Sequence, residues 1–180
     1  MKQARVAIVG ATGAVGEEMR LCLAERNFPL TGLKLLASAR SAGKRLDFCG
    51  QETIVEELTH DSFHDVDIAL FSAGGGISKE FAPSAAAAGA VVIDNSSAFR
   101  MDDGVPLVVP EINPEAAADC PRGIIANPNC TTIISLMALA PLHEAFGLNA
   151  VIASSYQAVS GSGTQGILEL EEQIKAIAAG

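Results

Sequence analysis

Short, solidly apolar runs alternate with segments of helical periodicity, and this alternation limits the possible folds more than any other feature of the sequence. The runs predict strands at residues 6–9, 33–37, 67–71, 90–93 and 124–126. A strand that is apolar at every position is buried on both faces of its sheet. Strands that alternate with helices form a parallel sheet with helices packed on it. The sequence therefore predicts an α/β fold with a Rossmann-like, doubly wound parallel sheet.

The intervening segments complete this prediction. Apolar periodicity predicts helices over residues 14–26, 77–88, 131–146 and 164–178, and the helix before residue 27 carries its apolar stripe on Val15, Met19, Leu21, Cys22 and Leu23. Short strands are expected around Gly50, between residues 45 and 58. A further strand at residues 151–153 and the last helix are expected to begin a second, α+β domain.

Charge and cysteine usage exclude several classes of protein. The net charge of −9 makes the chain a poor ligand for nucleic acids or anionic membranes. Its four cysteines are scattered without a CxxC motif, which favours a reducing compartment and free thiols. A strand follows the N-terminus at once and no apolar run reaches about 18 residues, so neither a signal peptide nor a membrane span is expected. We expect a cytoplasmic protein.

Glycines follow the first predicted strand in the pattern GxxGxxG, at Gly10, Gly13 and Gly16. Ligands of open parallel sheets bind beyond the carboxyl ends of the strands, and glycines there let the backbone approach a pyrophosphate. The pattern predicts a nucleotide site; the alternative is a tight strand–helix turn without a ligand.

The end of the second predicted strand indicates which nucleotide binds. An NAD site usually carries an acidic residue there, whereas this chain has Ser38, Arg40 and Ser41, followed by Lys44 and Arg45. In an acidic chain, this basic cluster favours a 2′-phosphate and hence NADP. The alternative is a solvated basic loop.

Cys130 is the candidate nucleophile, since it stands where a predicted strand ends and a helix begins. Helix N–H groups there favour a thiolate and can stabilise an oxyanion. Asn129 and Thr131 are suited to cap that turn. The alternative is a buried, unreactive thiol, which is what we expect of Cys22, Cys49 and Cys120.

The three histidines offer neither a metal site nor a base for Cys130. His60 and His64 are spaced like metal ligands, but with Asp61 and Asp65 they lie in a polar stretch typical of a solvated surface turn. His143 is interpreted as structural. No metal is expected.

The motifs GATGAVG, ASARSAGK, FSAGGGISKEFAP, DNSSAFR, VVPEIN, NPNCTT and SSYQAVSGSG occur in this order. With them, the chain resembles the aspartate-semialdehyde dehydrogenase family from about residue 4 to its end. The resemblance implies reduction of 4-aspartyl phosphate to aspartate 4-semialdehyde with NADPH. This step supplies lysine, diaminopimelate, methionine, threonine and isoleucine biosynthesis.

The resemblance also implies roles for individual residues. Cys130 attacks the acyl phosphate carbon and forms a thioester, which accepts hydride more readily than a carboxylate does. Gln157 and Asn129 lie beside the substrate and Arg100 binds its phosphate. The implied cofactor-binding residues are Gly10, Thr12, Gly13, Ala14, Val15, Gly16, Ser38, Arg40, Ser41, Ser72, Gly74, Asn95, Ser160, Gly161 and Gly163. Gln157 as a buried strand amide and Arg100 as a surface ion-pair partner remain alternatives.

The chain departs from the family in length. The resemblance divides it into an NADP-binding domain at residues 1–130 and the nucleophile helix with the start of a catalytic and dimerisation domain at 131–180. The family's acid/base histidine and substrate-carboxylate arginine have no counterpart here, and loss of a positioned acid/base costs about 10²–10⁴-fold in rate. We therefore expect an incomplete, inactive form with uncovered apolar surface, of an enzyme that is a homodimer or tetramer when complete. Alternatives are a non-catalytic NADP-binding module and a related acyl-phosphate or acyl-thioester reductase with another substrate.

Overall fold

A buried strand, β1, occupies the centre of the sheet because every residue from Val6 to Val9 is apolar. The computed structural model describes residues 3–179, in one unit that ends at Ile133 and another that begins at Ile134. The strands of the first unit are β1 (Ala4–Val9), β2 (Leu30–Ala37), β3 (Arg45–Phe48), β4 (Gln51–Glu57), β5 (Ile68–Phe71), β6 (Val91–Asp94) and β7 (Ile124–Ala126). The helices of eight or more residues are α1 (Ala14–Glu25), α2 (Gly75–Ala87), α3 (Cys130–Phe146) and α4 (Gly163–Ala178).

The seven strands form one sheet in the order β3-β4-β2-β1-β5-β6-β7. All neighbouring pairs are parallel except β3 and β4, the short strands predicted around Gly50, which pair antiparallel. The chain moves outward from β1 in one direction through β2 and then returns to place β5 on the other side of β1. The connections therefore change direction between β1 and β5, and such a switch point leaves a crevice beyond the carboxyl ends of these two strands.

Helices cover both faces of the sheet, as the solidly apolar strands predict. Ala7 and Val9 of β1 face a core that α2 completes with Ala82 and Ala85. Ile8 faces the opposite side, where Leu35 and Val55 join it and Met19 and Leu23 of α1 pack against them. Alternate residues of one strand thus enter different cores, which confirms the predicted α/β, doubly wound class.

An apolar groove of about 420 Å³ lies along the α1 side of the sheet. Leu70 of β5 and Ile93 of β6 line it from the sheet, and Val15 and Met19 line it from the helix. Leu21, expected in the buried stripe, is instead exposed, as is Val15. The sheet face beyond α1 is therefore less completely covered by the first unit than the face beneath α2.

The second unit contains the greater part of α3, a 3₁₀ turn at Val159–Ser162 and α4. The strand predicted at residues 151–153 is not formed, because a strand needs a hydrogen-bonded neighbour and these residues pair with no other part of residues 3–179. The helix predicted at 131–146 is present and continues through Pro141. Across the described residues, no helix is both long and apolar enough to cross a membrane.

Candidate functional site

The turn after β1 is packed against the end of β5. The N–H of Gly10 donates to the Leu36 carbonyl of β2 at 2.9 Å, and its φ of +87° favours glycine. A Cβ on Gly10 would lie 3.0 Å from the backbone carbon of Ser72. This residue therefore lets the two strand ends that flank the switch point come together.

The first turn of α1 lies directly on this glycine turn. A Cβ on the buried Gly16 would lie 2.2 Å from the carbonyl oxygen of Gly10, closer than any two such atoms can be. Gly13 is the N-cap residue, and no side chain caps the helix. The N–H groups of Ala14 and Val15 in this first turn consequently have no acceptor within the helix, and they form the kind of cradle that binds a phosphate.

The turn after β2 meets the glycine turn through two hydroxyl groups. Thr12 Oγ1 lies 3.5 Å from Ser41 Oγ, and the Ser41 N–H donates to the Ser38 carbonyl at 2.8 Å. Arg40 is exposed in this turn and forms no ion pair within residues 3–179. Arg45 is different, because its guanidinium is bound by Glu52 at 2.8 Å. The basic cluster seen in the sequence thus contains one cation that is already neutralised.

The loops after β5 and β6 continue the same rim. Ser72 donates its hydroxyl to the Val9 carbonyl at 3.1 Å and is therefore turned toward β1. Gly74 has a φ of +89° as the N-cap residue of α2, and a Cβ there would meet nothing within 4 Å. The Asn95 N–H donates to the carbonyl of Phe71, which ties the β6 loop to the end of β5.

Arg100 is held by backbone carbonyls rather than by carboxylates. Its Nε donates to the Asn127 carbonyl at 2.9 Å and its Nη2 to the Asn95 carbonyl at 3.3 Å. The side chains of Asn95 and Asn127 are hydrogen-bonded to each other. No ion pair of Arg100 is found in the described part of the chain, so the alternative of a surface ion-pair partner is wrong. The guanidinium keeps its charge available for an anion.

Cys130 is the first residue of α3 and follows β7 by a three-residue loop. Asn129 caps this helix: its carbonyl accepts the Ile133 N–H at 3.0 Å, and its Oδ1 accepts the Thr131 N–H at 2.9 Å. The capping role predicted for Asn129 is confirmed. Cys130 is exposed, so the alternative of a buried thiol is wrong for this residue.

The expectation of burial is also wrong for two other cysteines. Cys22 and Cys49 are both exposed. Cys22 lines the open groove beside α1, and Cys49 lies in the β3–β4 turn with a φ of +52°. Cys120 is half-buried. Burial raises the pKa of the Cys120 thiol, although the N–H groups of Gly123 and Ile124 partly oppose this effect. All four cysteines are free thiols.

Sequence reasoning did not single out a fully buried polar group near the site, the side chain of Asp94. It is fully buried at the end of β6, and Ser78 of α2 donates to its Oδ1 at 2.7 Å. Ser96 donates to it with both its hydroxyl and its N–H. The signal that could have found it is an acidic residue that ends an otherwise apolar strand.

The remaining predicted site residues lie in the second unit. Gln157 is exposed in an irregular segment, so it is not the buried strand amide that we considered. Ser160 and Gly161 belong to the 3₁₀ turn before α4, and Gly163 begins α4 with a φ of +78°. This turn packs tightly on the helix, since a Cβ on Gly166 would lie 2.8 Å from the Cβ of Ser162.

The histidines occupy ordinary structural positions. His60 Nδ1 is hydrogen-bonded to Ser84 Oγ at 2.7 Å, and its ring stacks on Phe81. His143 accepts the Leu148 N–H just after α3. Within the described residues, no three or more His, Cys, Asp or Glu side chains are grouped to hold a metal ion.

The rim of the first unit therefore combines three kinds of chemistry. The glycine turn with α1 can accept a diphosphate, Arg100 can bind a further anion, and Cys130 offers an exposed sulfur at a helix N-terminus. All three follow the carboxyl ends of parallel strands of one sheet.

Two family models match this chain. Residues 5–120 match the model described as "Semialdehyde dehydrogenase, NAD binding domain", and residues 139–180 match "Semialdehyde dehydrogenase, dimerisation domain". The first covers more than half of the chain. The first unit thus corresponds to a domain type that binds a nucleotide cofactor.

Similar proteins agree with these matches. The chain is 56% identical to aspartate-semialdehyde dehydrogenase of Bacillus subtilis over 172 residues, which are 96% of this chain and 49% of that protein. The crystal structure of aspartate semialdehyde dehydrogenase II from Vibrio cholerae is 52% identical, covers 99% of this chain and 53% of its own, and has a TM-score of 0.90. The Candida albicans enzyme, solved with NADP, is 28% identical over 82% of this chain and 48% of its own, with a TM-score of 0.71. The chain spans about half the length of the relatives it matches.

Gly16 and Gly76 provide a matched test of the close packing at the glycine turn, since both lie in the first turn of a helix. We expect Gly16→Ala to lower the free energy of unfolding by roughly 1–3 kcal/mol, because the added methyl group is forced against Gly10. Gly76→Ala meets nothing within 4 Å and is expected to be neutral or to stabilise by up to about 1 kcal/mol. Urea unfolding followed by circular dichroism measures both; equal effects would contradict the packing argument.

Proposed function

Because the chain belongs to the semialdehyde dehydrogenase family, we propose that it supplies the cofactor site and the nucleophile of an NADP-dependent aspartate-semialdehyde dehydrogenase. The observation that carries this proposal is the position of Cys130, exposed at the first residue of α3 on the same rim as the glycine turn and Arg100. The names of the relatives described above support an aspartate-semialdehyde substrate. The alternative function is that of a non-catalytic NADP-binding module, and the chimera experiment below distinguishes the two.

The residues present fit a dinucleotide. The diphosphate is bound by the first turn of α1, where Gly10 and Gly16 leave no room for a Cβ and the helix has no side-chain cap. When bound, the cofactor supplies the hydride that reduces the acyl group. Ser72, Gly74 and Asn95 line the rim on the other side of the switch point, where we place the remainder of the cofactor.

NADP is favoured over NAD by the turn after β2. It holds no acidic residue that would bind a ribose 2′-hydroxyl and repel a phosphate. Arg40 is exposed and without an ion pair in the described residues, and Ser38 and Ser41 add hydroxyl donors. The Candida albicans relative was solved with NADP, which supports the same choice.

Cys130 acts as the nucleophile in this proposal. Its sulfur forms a bond to the acyl carbon of 4-aspartyl phosphate, the bond from that carbon to the phosphate oxygen breaks, and phosphate leaves with the electron pair. The resulting thioester is reduced by hydride, and the aldehyde leaves as Cys130 regains its thiolate. In both steps we assign stabilisation of the oxyanion to the first-turn N–H groups of Cys130 and Thr132, since Asn129 already binds the N–H of Thr131.

Arg100 binds the phosphate of the substrate in this proposal, and we assign Asn129 and Gln157 to substrate binding, as the resemblance to the family implies. The guanidinium is already oriented by two backbone carbonyls, so little side-chain entropy is lost when the anion arrives. We assign residues 1–130 to the NADP-binding domain and residues 131–180 to the nucleophile helix and the catalytic and dimerisation domain; the dimerisation-domain match over residues 139–180 supports the second range.

We further propose that the complete enzyme is a homodimer or tetramer. The match to a dimerisation domain supports this, as do Ile167, Leu170, Ile174 and Ile177, which form an exposed stripe along α4 at spacings of three and four residues. The free thiols and acidic charge agree with a cytoplasmic enzyme that binds neither nucleic acid nor membrane, and amino-acid biosynthesis is the role that its relatives indicate.

The activity is tested in a chimera that joins this chain to the C-terminal half of the Bacillus subtilis relative. We expect phosphate-dependent reduction of NADP by aspartate semialdehyde, measured by absorbance, and a loss of at least about a thousandfold in Cys130→Ala. The 180-residue chain alone is expected to bind NADPH without turnover. A chimera that binds NADPH but reduces no NADP would favour the non-catalytic module.

Arg40 and Arg45 give a matched test of cofactor choice. We expect Arg40→Ala to weaken NADPH binding by about ten- to a hundredfold, because a charged hydrogen bond to the 2′-phosphate is lost, and to leave NADH binding unchanged. Arg45→Ala should change neither affinity, since Glu52 already binds its guanidinium. Fluorescence titration with both cofactors measures this; an equal loss for NADPH and NADH would contradict a 2′-phosphate site.

Alkylation rates test the nucleophile. With iodoacetamide at neutral pH, we expect Cys130 to react fastest of the four cysteines because α3 begins at that residue. Cys120 should react slowest and show a rate profile displaced to higher pH, since its raised pKa leaves less thiolate. The exposed Cys22 and Cys49 are the controls for access. Peptide mass spectrometry gives the four rates, and equal rates at Cys22, Cys49 and Cys130 would exclude an activated thiolate.

A further inference from the structure

The carboxylate of Asp94 is buried, and its hydrogen bonds go to Ser78 and Ser96, neither of which is proposed to contact substrate or cofactor. Asp94, Ser78 and Ser96 are the buried polar side chains within the described core. We propose that Asp94 is a positioning residue that fixes Arg100 for phosphate binding. The proposal rests on the proposed function, in which Arg100 binds the phosphate of the substrate.

The hydrogen bonds of Asp94 determine its role as an acceptor. Ser96 receives the Ala98 N–H on its hydroxyl oxygen at 3.0 Å, so the hydroxyl proton is directed to Asp94 Oδ2 at 2.7 Å. Oδ1 receives the Ser78 hydroxyl at 2.7 Å and the Ser96 N–H at 3.2 Å. Both oxygens of the buried carboxyl group therefore accept, and together they bend the chain directly after β6.

This bend leads to Arg100. Ala98 is fixed by Ser96, Phe99 is buried in the core beneath α2, and Arg100 follows as the next residue. The guanidinium then donates back to the carbonyl of Asn95, the residue between Asp94 and Ser96. The segment from Asp94 to Arg100 is thus fixed at both ends. The Asp94 carboxylate holds its start through Ser96, and the hydrogen bond from Arg100 to the Asn95 carbonyl holds its end.

Asp94 also connects the loops on either side. Ser78 lies in the first turns of α2, directly after the Gly74 loop, so its hydrogen bond joins that loop to the β6 loop. The main-chain carbonyl of Asp94 accepts the Asn127 N–H at 2.8 Å, and the Asn127 carbonyl in turn accepts from Arg100. Three strand ends therefore meet at one residue, and the same contacts set the orientation of the guanidinium.

Asp94→Asn is the direct test, because it keeps the size of the side chain and replaces one acceptor by a donor. Inorganic phosphate is titrated calorimetrically into the 180-residue chain saturated with NADPH. We expect phosphate affinity to fall about tenfold, while NADPH affinity stays within about twofold. The glycine turn is fixed by β2 and β5, and Asn95 keeps its own backbone hydrogen bond to the Phe71 carbonyl. Asp103→Asn, an exposed carboxylate in the same region, is the matched control and should change neither affinity.

A double variant distinguishes positioning from general damage. If Asp94 acts through Arg100, Asp94→Asn combined with Arg100→Ala will bind phosphate no more weakly than Arg100→Ala alone. Additive losses, or a folded Asp94→Asn variant with unchanged phosphate affinity, would overturn the proposal. If circular dichroism shows that Asp94→Asn does not fold, Ser96→Ala tests the positioning role instead, because it removes the hydroxyl donor to Asp94. The proposal then requires that Ser96→Ala weakens phosphate binding and leaves NADPH binding unchanged.

The same titrations separate this proposal from the proposed function. A wild-type chain that binds NADPH but no phosphate, or binds phosphate independently of Arg100, refutes the assigned phosphate site and with it the role of Asp94. Phosphate binding that depends on Arg100 and not on Asp94 refutes the positioning role alone.

Discussion

The close approach of the β1 and β5 ends is the constraint on which the site depends. Gly10 lies so near to Ser72 that any Cβ would meet the backbone, and Gly16 lies still nearer to Gly10. These contacts place the first turn of α1 over the switch point of the sheet. With a larger residue at either glycine, α1 would have to move away and the crevice would lose its phosphate-binding end.

The two charged side chains at this rim, Arg100 and Asp94, are held by neutral hydrogen-bonding groups and not by opposite charges. Arg100 is oriented by the carbonyls of Asn95 and Asn127, and the carboxylate of Asp94 is surrounded by hydroxyl and N–H donors. Had Asp94 been paired with Arg100, the cation would be neutralised before an anion arrived. Keeping the two apart satisfies the buried carboxylate and preserves an attractive field at the rim.

Much of this arrangement follows from local sequence. The solidly apolar strands predicted the doubly wound sheet, and the residues directly after each strand predicted which side chains share the rim. What failed depended on tertiary context. The strand at residues 151–153 lacks a neighbour to pair with in the described chain. The acidic end of β6 is visible in the sequence, but its partner Ser78 is not, because only the folded structure brings Ser78 to 2.7 Å from Asp94.

The cysteines show why position is more informative than burial. The sequence predicted three buried, unreactive thiols and one nucleophile, but Cys22, Cys49 and Cys130 are all exposed. Exposure alone would give three candidates. Only Cys130 stands at a helix N-terminus after a parallel strand, with Asn129 capping the same turn. The helix N–H groups, which the other two thiols lack, are what can turn an accessible sulfur into a nucleophile.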